Sequence, residues 1–169
     1  MASSDTIRLD FICVHNAGRS QMAAAFAERE RDERGLEDVV EVHSGGTDPA
    51  EAVHEAVVDA MMEVGFDLSG RSPSWVVLDD LQDSHYLVTM GCSITEFDPA
   101  RYGVESRSWD LTNPDGKEMD TVRTVRDEIE RRVEKLFDEI ERTAATEAGE
   151  DSGSLSERVG SAVRDALSF

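Results

Sequence analysis

The sequence predicts an α/β fold, a parallel sheet with helices packed on both faces. Three observations predict it. Short apolar runs alternate with longer runs of helical period along the chain. The first apolar run, residues 7–14, is broken only by Arg8 and Asp10, as in a strand buried on both faces. Glycine and proline mark the boundaries, at Gly35, Gly45-Gly46, Pro49, Gly65, Gly91 and Gly103. A chain of 169 residues is long enough for one domain with a real core.

In order, residues 1–5 are expected to fray. Residues 7–14 form the first strand. A helix-forming run follows from Ser20 through Met22, Ala25 and Phe26 to about Arg34, and Gly35 stops it. Residues 39–44 read as the second strand, ending at Gly45-Gly46. Pro49 opens a helix whose apolar stripe is Ala52, Val53, Ala56, Val57, Ala60, Met61 and Val64. Residues 66–73 read as a loop and 75–81 as a helical turn. Residues 84–90 form the third strand, running into Gly91-Cys92. Residues 104–109 form the fourth, and 112–116 a turn-rich loop. Residues 121–142 form a long helix with Val122, Val125, Ile129, Val133, Leu136, Phe137 and Ile140 on one face. The domain is thus expected over 1–142. A polar linker follows over 143–154. Then comes an amphipathic helix over 155–169, carrying Leu155, Val159, Val163 and Leu167 and expected to pack back on the domain.

The net charge is −20, from 37 acidic and 17 basic residues, with Lys117 and Lys135 the only lysines. Such an excess of carboxylates argues against nucleic acid and anionic membrane as partners. An acidic, lysine-poor surface is expected of a halophilic protein in a salt-loaded cytoplasm, where salt screens its own field. No apolar run approaches the ~20 residues that span a bilayer. Residues 1–5 carry neither a basic region nor an apolar signal core, so a cytoplasmic location is expected. His15, His43, His54 and His85 are scattered without ligand spacing, so neither a metal site nor a cofactor is expected. Trp75, Tyr86, Tyr102 and Trp109 form no stripe and are expected in the core.

The chemistry concentrates in Cys13-Val14-His15-Asn16-Ala17-Gly18-Arg19-Ser20, between the first strand and the first helix. Strand, tight loop and helix present backbone N–H groups and a positive helix end to an anion. Val14 to Gly18 supply the loop backbone, and Arg19 adds a planar fork of donors for two anion oxygens. At the base, Cys13 meets the N–H groups, the helix end and Arg19, all of which favour thiolate over thiol. Ser20 is placed to donate to that sulfur. The result is a nucleophile aimed at the centre of a tetrahedral oxyanion. Asn16 tolerates left-handed backbone, and Gly18 relieves crowding. Cys13 and Cys92 are the only cysteines, and in a reducing compartment a transient catalytic disulfide suits them better than a structural one.

The stretch CVHNAGRSQMAAAF resembles the low-molecular-weight phosphatase superfamily, and within it the thioredoxin-coupled arsenate reductases. The likeness continues in YLVTMGC, SWDLTNPDGK and TVRTVRDEIERRV, from about Ile7 to Arg142. It implies a four-stranded parallel sheet of order 2-1-3-4, with the strands bearing Cys13 and Cys92 side by side. It further implies an arsenate or phosphate oxyanion as substrate and thioredoxin or a small thiol as reductant. Cys92 then has the role of resolving thiol. The alternatives are a protein-tyrosine phosphatase working through a phosphocysteine, and a non-catalytic oxyanion-binding or redox-sensing domain. Two departures stand out. Residues 93–97 lack the further cysteine that many relatives carry. Asn113 precedes Pro114 where the family has its general acid, an Asp, which leaves Asp110 and Asp115 as nearby substitutes.

Overall fold

The computed structural model describes residues 6–147. Strand β1 (Ile7–Cys13) lies between β2 (Val40–Gly46) and β3 (Tyr86–Thr89), and β4 (Glu105–Ser108) pairs with β3. The order β2-β1-β3-β4 and the wholly parallel pairing are those that the resemblance implies. Helices α1 (Arg19–Glu33), α2 (Glu55–Met62) and α3 (Met119–Glu147) complete the fold.

Alternation along β1 divides its side chains between two cores. Ile7, Leu9, Phe11 and Cys13 share one core with Met22 and Phe26 of α1, Val57 and Met61 of α2, and Ile129 and Phe137 of α3. Ile12 points the other way, to Leu81, Leu87, Phe97 and Val104. Helical cover on this second face takes the form of two short 3-10 turns, Leu78–Asp83 and Pro99–Tyr102. Asp10 is buried on the strand, where Arg8 forks onto its two oxygens at 2.9 and 3.3 Å and Ser84 donates to one of them. The two charges that interrupt the apolar run are thus paired.

α3 lays its predicted face on the sheet and α1, with Val122, Ile129, Val133, Leu136, Phe137 and Ile140 all buried. Each such side chain contributes ~1.5–3 kcal/mol on burial. α1 is buried continuously from Arg19 to Ala27, and its alanines let β1 and α3 approach closely. Arg126 of α3, itself buried, donates to the Ala60 carbonyl at 2.8 Å and so satisfies the C-terminal turn of α2.

Several elements differ from their sequence-predicted extents. α2 begins at Glu55, not Pro49. The N–H groups of Thr47, Asp48, Ala50 and His54 donate to the carbonyls of Cys13, Val14, His15 and Ala17 at 2.8–3.1 Å. A backbone committed to the loop in this way is not free to coil. Residues 75–77 are extended rather than helical. Trp75 bridges in parallel to Gly46, and only 78–83 form a 3-10 turn. Trp75 is therefore 66% exposed at the outer edge of the sheet, against the expectation of a core residue. Tyr102 is also exposed, stacked on Phe97, whereas Tyr86 and Trp109 are buried as expected. α3 continues to Glu147 and takes in residues 143–147, which composition reads as linker. Thr143 satisfies its hydroxyl on the Glu139 carbonyl within the helix, at 2.8 Å. The rest of the predicted linker and the helix predicted over 155–169 lie outside the described residues.

Candidate active site

The loop between β1 and α1 turns its carbonyls outward and its N–H groups inward. The segment 47–54 takes the carbonyls of Cys13, Val14, His15 and Ala17. The N–H groups from Val14 to Ser20 meet no protein acceptor among the described residues. That leaves a ring of donors at the positive end of a 15-residue helix, the layout of an anion nest. The close approach needs Gly46. A Cβ there would sit 2.7 Å from the Val14 carbonyl oxygen and 3.0 Å from Asn16.

Asn16 locks the loop. Its φ of 49° is the one positive value among the described non-glycine residues. Its Oδ1 accepts from the Ser74 N–H at 3.0 Å and from Gln21 Nε2 at 3.2 Å. The Ser74 donor is unambiguous and fixes the amide orientation, so Nδ2 faces Ser20 and donates to Oγ at 2.7 Å. Ser20 Oγ lies 2.9 Å from Cys13 Sγ. With a lone pair taken by Asn16, the hydroxyl proton is free to point at the sulfur. Cys13 is buried, and this donor stabilises negative charge on it.

Arg19 is buried, and its Nη1 donates to the Leu111 carbonyl at 3.1 Å, which ties the guanidinium to the loop after β4. Its other neighbour is Gly91. A Cβ on Gly91 would fall 3.0 Å from both Cζ and Nη2 of Arg19, and closer still to Nη1.

Cys92 follows β3, beside β1. Its thiol donates to the carbonyl of Ile12 at 3.6 Å, the residue before Cys13. It is partly exposed. Burial pushes the Cys92 thiol up, with nearby Cys13 acting in the same direction and the Met90 backbone and Arg19 opposing. Both sulfurs therefore stand at the carboxyl edge of the two central strands, where open α/β sheets bind ligands.

The loop after β4 covers the nest from above. Pro114 Cγ lies 3.2 Å from the point a Gly18 Cβ would occupy. Asn113 is exposed, and its Oδ1 accepts from the Asp115 N–H at 3.1 Å, so its side chain closes a turn. Asp110 is exposed, with no described contact to the nest. Asp115 Oδ1 lies 3.8 Å from His54 Nδ1. The His15 ring packs edge-on to His54 with centroids 6.5 Å apart, and its Nδ1 meets the Asp48 carbonyl at 3.0 Å. Among the described residues no group of three or more His, Cys, Asp or Glu is arranged to hold a metal ion.

Gly46, Ser74, Gly91, Gln21 and His54 were not singled out as site residues from the sequence. Gly91 precedes Cys92 by one residue, and Gly45-Gly46 reads from the sequence only as a strand end. Nothing local to His54 marks it, because its neighbours come from other loops.

A parallel sheet whose first loop gathers a buried cysteine, an arginine and N–H groups without a protein acceptor among the described residues has the layout to hold a tetrahedral oxyanion against sulfur. Residues 8–146 match the family described as low molecular weight phosphotyrosine protein phosphatase, and the chain belongs to that family. A Halobacterium salinarum protein, provisionally named an arsenate reductase, is 54% identical over 140 residues, covering 83% of this chain and 97% of its own. A Synechocystis protein named glutaredoxin arsenate reductase is 30% identical over 133 residues, covering 77% and 95%. Among solved structures, a Corynebacterium glutamicum thioredoxin-dependent arsenate reductase superposes with a TM-score of 0.67 at 31% identity, over 83% of this chain and 64% of that one. An arsenate reductase in a phosphate-binding state superposes with a TM-score of 0.65 at 27% identity, over 79% and 98%.

Proposed function

We propose that this protein reduces arsenate to arsenite, with Cys13 as nucleophile, Arg19 and the Val14–Gly18 backbone as the oxyanion cradle, and Cys92 as resolving thiol. The observation that carries it is the Cys92 thiol on the Ile12 carbonyl, one residue from Cys13 across adjacent strands. Relatives named as arsenate reductases support the substrate.

In this mechanism the nest and Arg19 bind arsenate, and Ser20 holds charge on Cys13 Sγ. Cys13 forms an S–As bond as an oxygen leaves as water. Cys92 thiolate then attacks Cys13 Sγ. The S–S bond forms, the S–As electron pair passes to arsenic, and As(V) leaves as As(III) while the two cysteines are oxidised. An external dithiol or small thiol reduces the disulfide, consistent with the glutaredoxin and thioredoxin in the relatives' names. Without a cysteine in residues 93–97, either that reductant meets the Cys13–Cys92 disulfide directly or an external small thiol does part of the work.

A phosphatase reaction through a phosphocysteine at Cys13 is the second reading, supported by the family match. Asn113 supplies no acidic proton, so this reading needs its general acid from another residue. The test is Cys92→Ala. It should stop multiple-turnover arsenate reduction and spare any aryl phosphate hydrolysis. After one arsenate turnover the wild type should be lighter by a pair of hydrogens, with the Cys13 and Cys92 peptides linked. A Cys92→Ala protein that reduces arsenate at the wild-type rate with thioredoxin would refute the internal dithiol.

A further inference from the structure

We propose that His54, oriented by Asp115, donates the proton to the oxygen that leaves when Cys13 attacks, the role that Asn113 cannot fill. The inference rests on the oxyanion chemistry assigned to Cys13 above.

His54 is fixed at the rim of the nest from three sides. Its N–H donates to the Ala17 carbonyl at 3.0 Å, which pins its backbone to the loop. Its Cδ2 lies 3.7 Å from the position a Gly18 Cβ would take, so the ring rests on the bare glycine beside Pro114. Its Nδ1 faces Asp115 at 3.8 Å, within ion-pairing range. With Nδ1 turned to the carboxylate, Nε2 remains for the nest side, bonded to the same Cδ2 that meets Gly18. The titratable groups placed against the ring are Asp115 from the loop after β4 and His15 from the nest, with Glu55 next in sequence on α2. His15 is itself engaged with the Asp48 carbonyl.

A carboxylate 3.8 Å from Nδ1 lies beyond direct hydrogen bonding, but its charge favours a proton on that nitrogen. The imidazolium carries protons on both nitrogens, and after donation from Nε2 the neutral ring keeps its Nδ1 proton against Asp115. In the step proposed, the S–As bond forms and the As–O bond breaks. The bond pair stays on oxygen, the Nε2 proton joins it, and water departs. Arsenic remains As(V), and solvent reprotonates His54. The same transfer serves an alkoxide or phenolate leaving from phosphorus. Hydroxide is a poor leaving group, and general acid catalysis is typically worth ~10²–10⁴-fold. Of the two carboxylates on that loop, Asp110 has no described contact with the nest, and Asp115 reaches it through His54.

The test compares wild type with His54→Gln, Asp115→Asn and the double variant. Two series are read: kcat/KM for arsenate against pH, and hydrolysis of aryl phosphates of graded leaving-group pKa. His54→Gln should lower kcat/KM for arsenate by ~10²-fold or more. It should remove the alkaline limb of the pH profile, steepen the leaving-group dependence, and leave inorganic phosphate binding within a few-fold. Asp115→Asn should cost less, and the double variant should be no worse than His54→Gln. His54→Gln with a wild-type pH profile and leaving-group slope would overturn the proposal. So would a loss confined to phosphate affinity, which would make His54 an anion-binding cation. If wild type hydrolyses aryl phosphates but does not reduce arsenate, the reductase reading fails while the leaving-group series still decides on His54. A wild type inert to both substrates overturns both. If His54→Gln does not fold, the His54 ring resonances of wild type are followed on adding inorganic phosphate. Movement supports the placement, and none overturns it.

Discussion

The guanidinium of Arg19 occupies the space where a side chain on Gly91, one residue before Cys92, would stand. Arg19, the proposed anion-binding arginine, and the chain that carries Cys92 are therefore packed against each other. Gly91 also has a φ of +73°. Gly91→Ala should suffer twice. Left-handed backbone costs a residue with Cβ ~1–2 kcal/mol. The added methyl also collides with Arg19 and must push it from the Leu111 carbonyl. Loss of one such donor from an oxyanion site typically costs ~10²–10³-fold. Steady-state kinetics should show kcat/KM for arsenate down by about that factor. A variant with wild-type kcat/KM would mean that Arg19 is not held by this contact.

Asn16 carries a second expectation. Asn16→Gly keeps the left-handed backbone but strips the acceptor for the Ser74 and Gln21 donors and the donor to Ser20. Gln21 Nε2 keeps the Asn16 carbonyl at 3.0 Å, and each side-chain bond lost costs ~0.5–1.5 kcal/mol. Asn16→Ala adds the backbone penalty. Both variants should have lower urea midpoints, with Ala below Gly, and Cys13 should alkylate more slowly with iodoacetamide. Equal midpoints for wild type and Asn16→Gly would remove the amide from its locking role.

Cys92 should make disulfide formation pH-dependent. Attack requires its thiolate, and burial holds the thiol above the ordinary cysteine range, with Cys13 adding to the effect. The reactive fraction at neutral pH is then small and grows with rising pH. Stopped-flow rates of arsenite release from arsenic-loaded Cys13 should climb between about pH 7 and 9 without a plateau, since an unperturbed thiol titrates near 8.5. A rate that levels off below pH 8 would contradict a buried resolving thiol.

How much of this was legible beforehand depends on whether the information was local. β1, the loop and α1 are contiguous, so the apolar run, Asn16, Gly18 and the helix formers after Ser20 specify the nest together. The strand order came through the resemblance rather than from residue patterns. The apolar period points to a helix from Pro49, but hydrogen bonds from residues 47–54 to the loop hold that segment out of α2. Trp75 read as core because hydrophobicity alone does not show that its segment bridges only Gly46. Gly91, Ser74 and His54 acquire their roles from residues far along the chain, and only the fold brings those together.

Acid should undo a clasp between α2 and α3. Arg123 first and Arg126 second hold the Glu63 carboxyl down to about 2. Because the folded value lies below the unfolded one of ~4.3, the contribution is fully present above that value. It fades as pH falls towards about 2. Urea midpoints of wild type and Glu63→Gln should differ near neutrality and converge near pH 2. A gap that persists at pH 2 would show that the clasp acts through packing rather than charge.

Salt should stabilise the fold. With a net charge of −20 on 169 residues, carboxylates repel one another over much of the surface. The described residues also hold ion pairs that salt weakens, such as Arg29 with Glu130 and Arg71 with Glu28, both at 2.8 Å. The two effects oppose, and magnitude decides between them. An exposed pair contributes ~0–1 kcal/mol, and short contacts are screened least. Repulsion among unpaired carboxylates acts over longer distances, and these are what a Debye length falling from ~10 Å at 0.1 M to ~3 Å at 1 M removes. Repulsion therefore dominates, and Tm should rise substantially from low-salt buffer to molar KCl. Charge-neutralising Asp→Asn and Glu→Gln changes at exposed unpaired positions should reduce that rise, whereas Arg71→Gln should enlarge it by adding to the net negative charge. A Tm flat across the salt series would mean that the acidic surface carries no electrostatic load on the fold, and the inference of a salt-loaded cytoplasm would lose its physical basis.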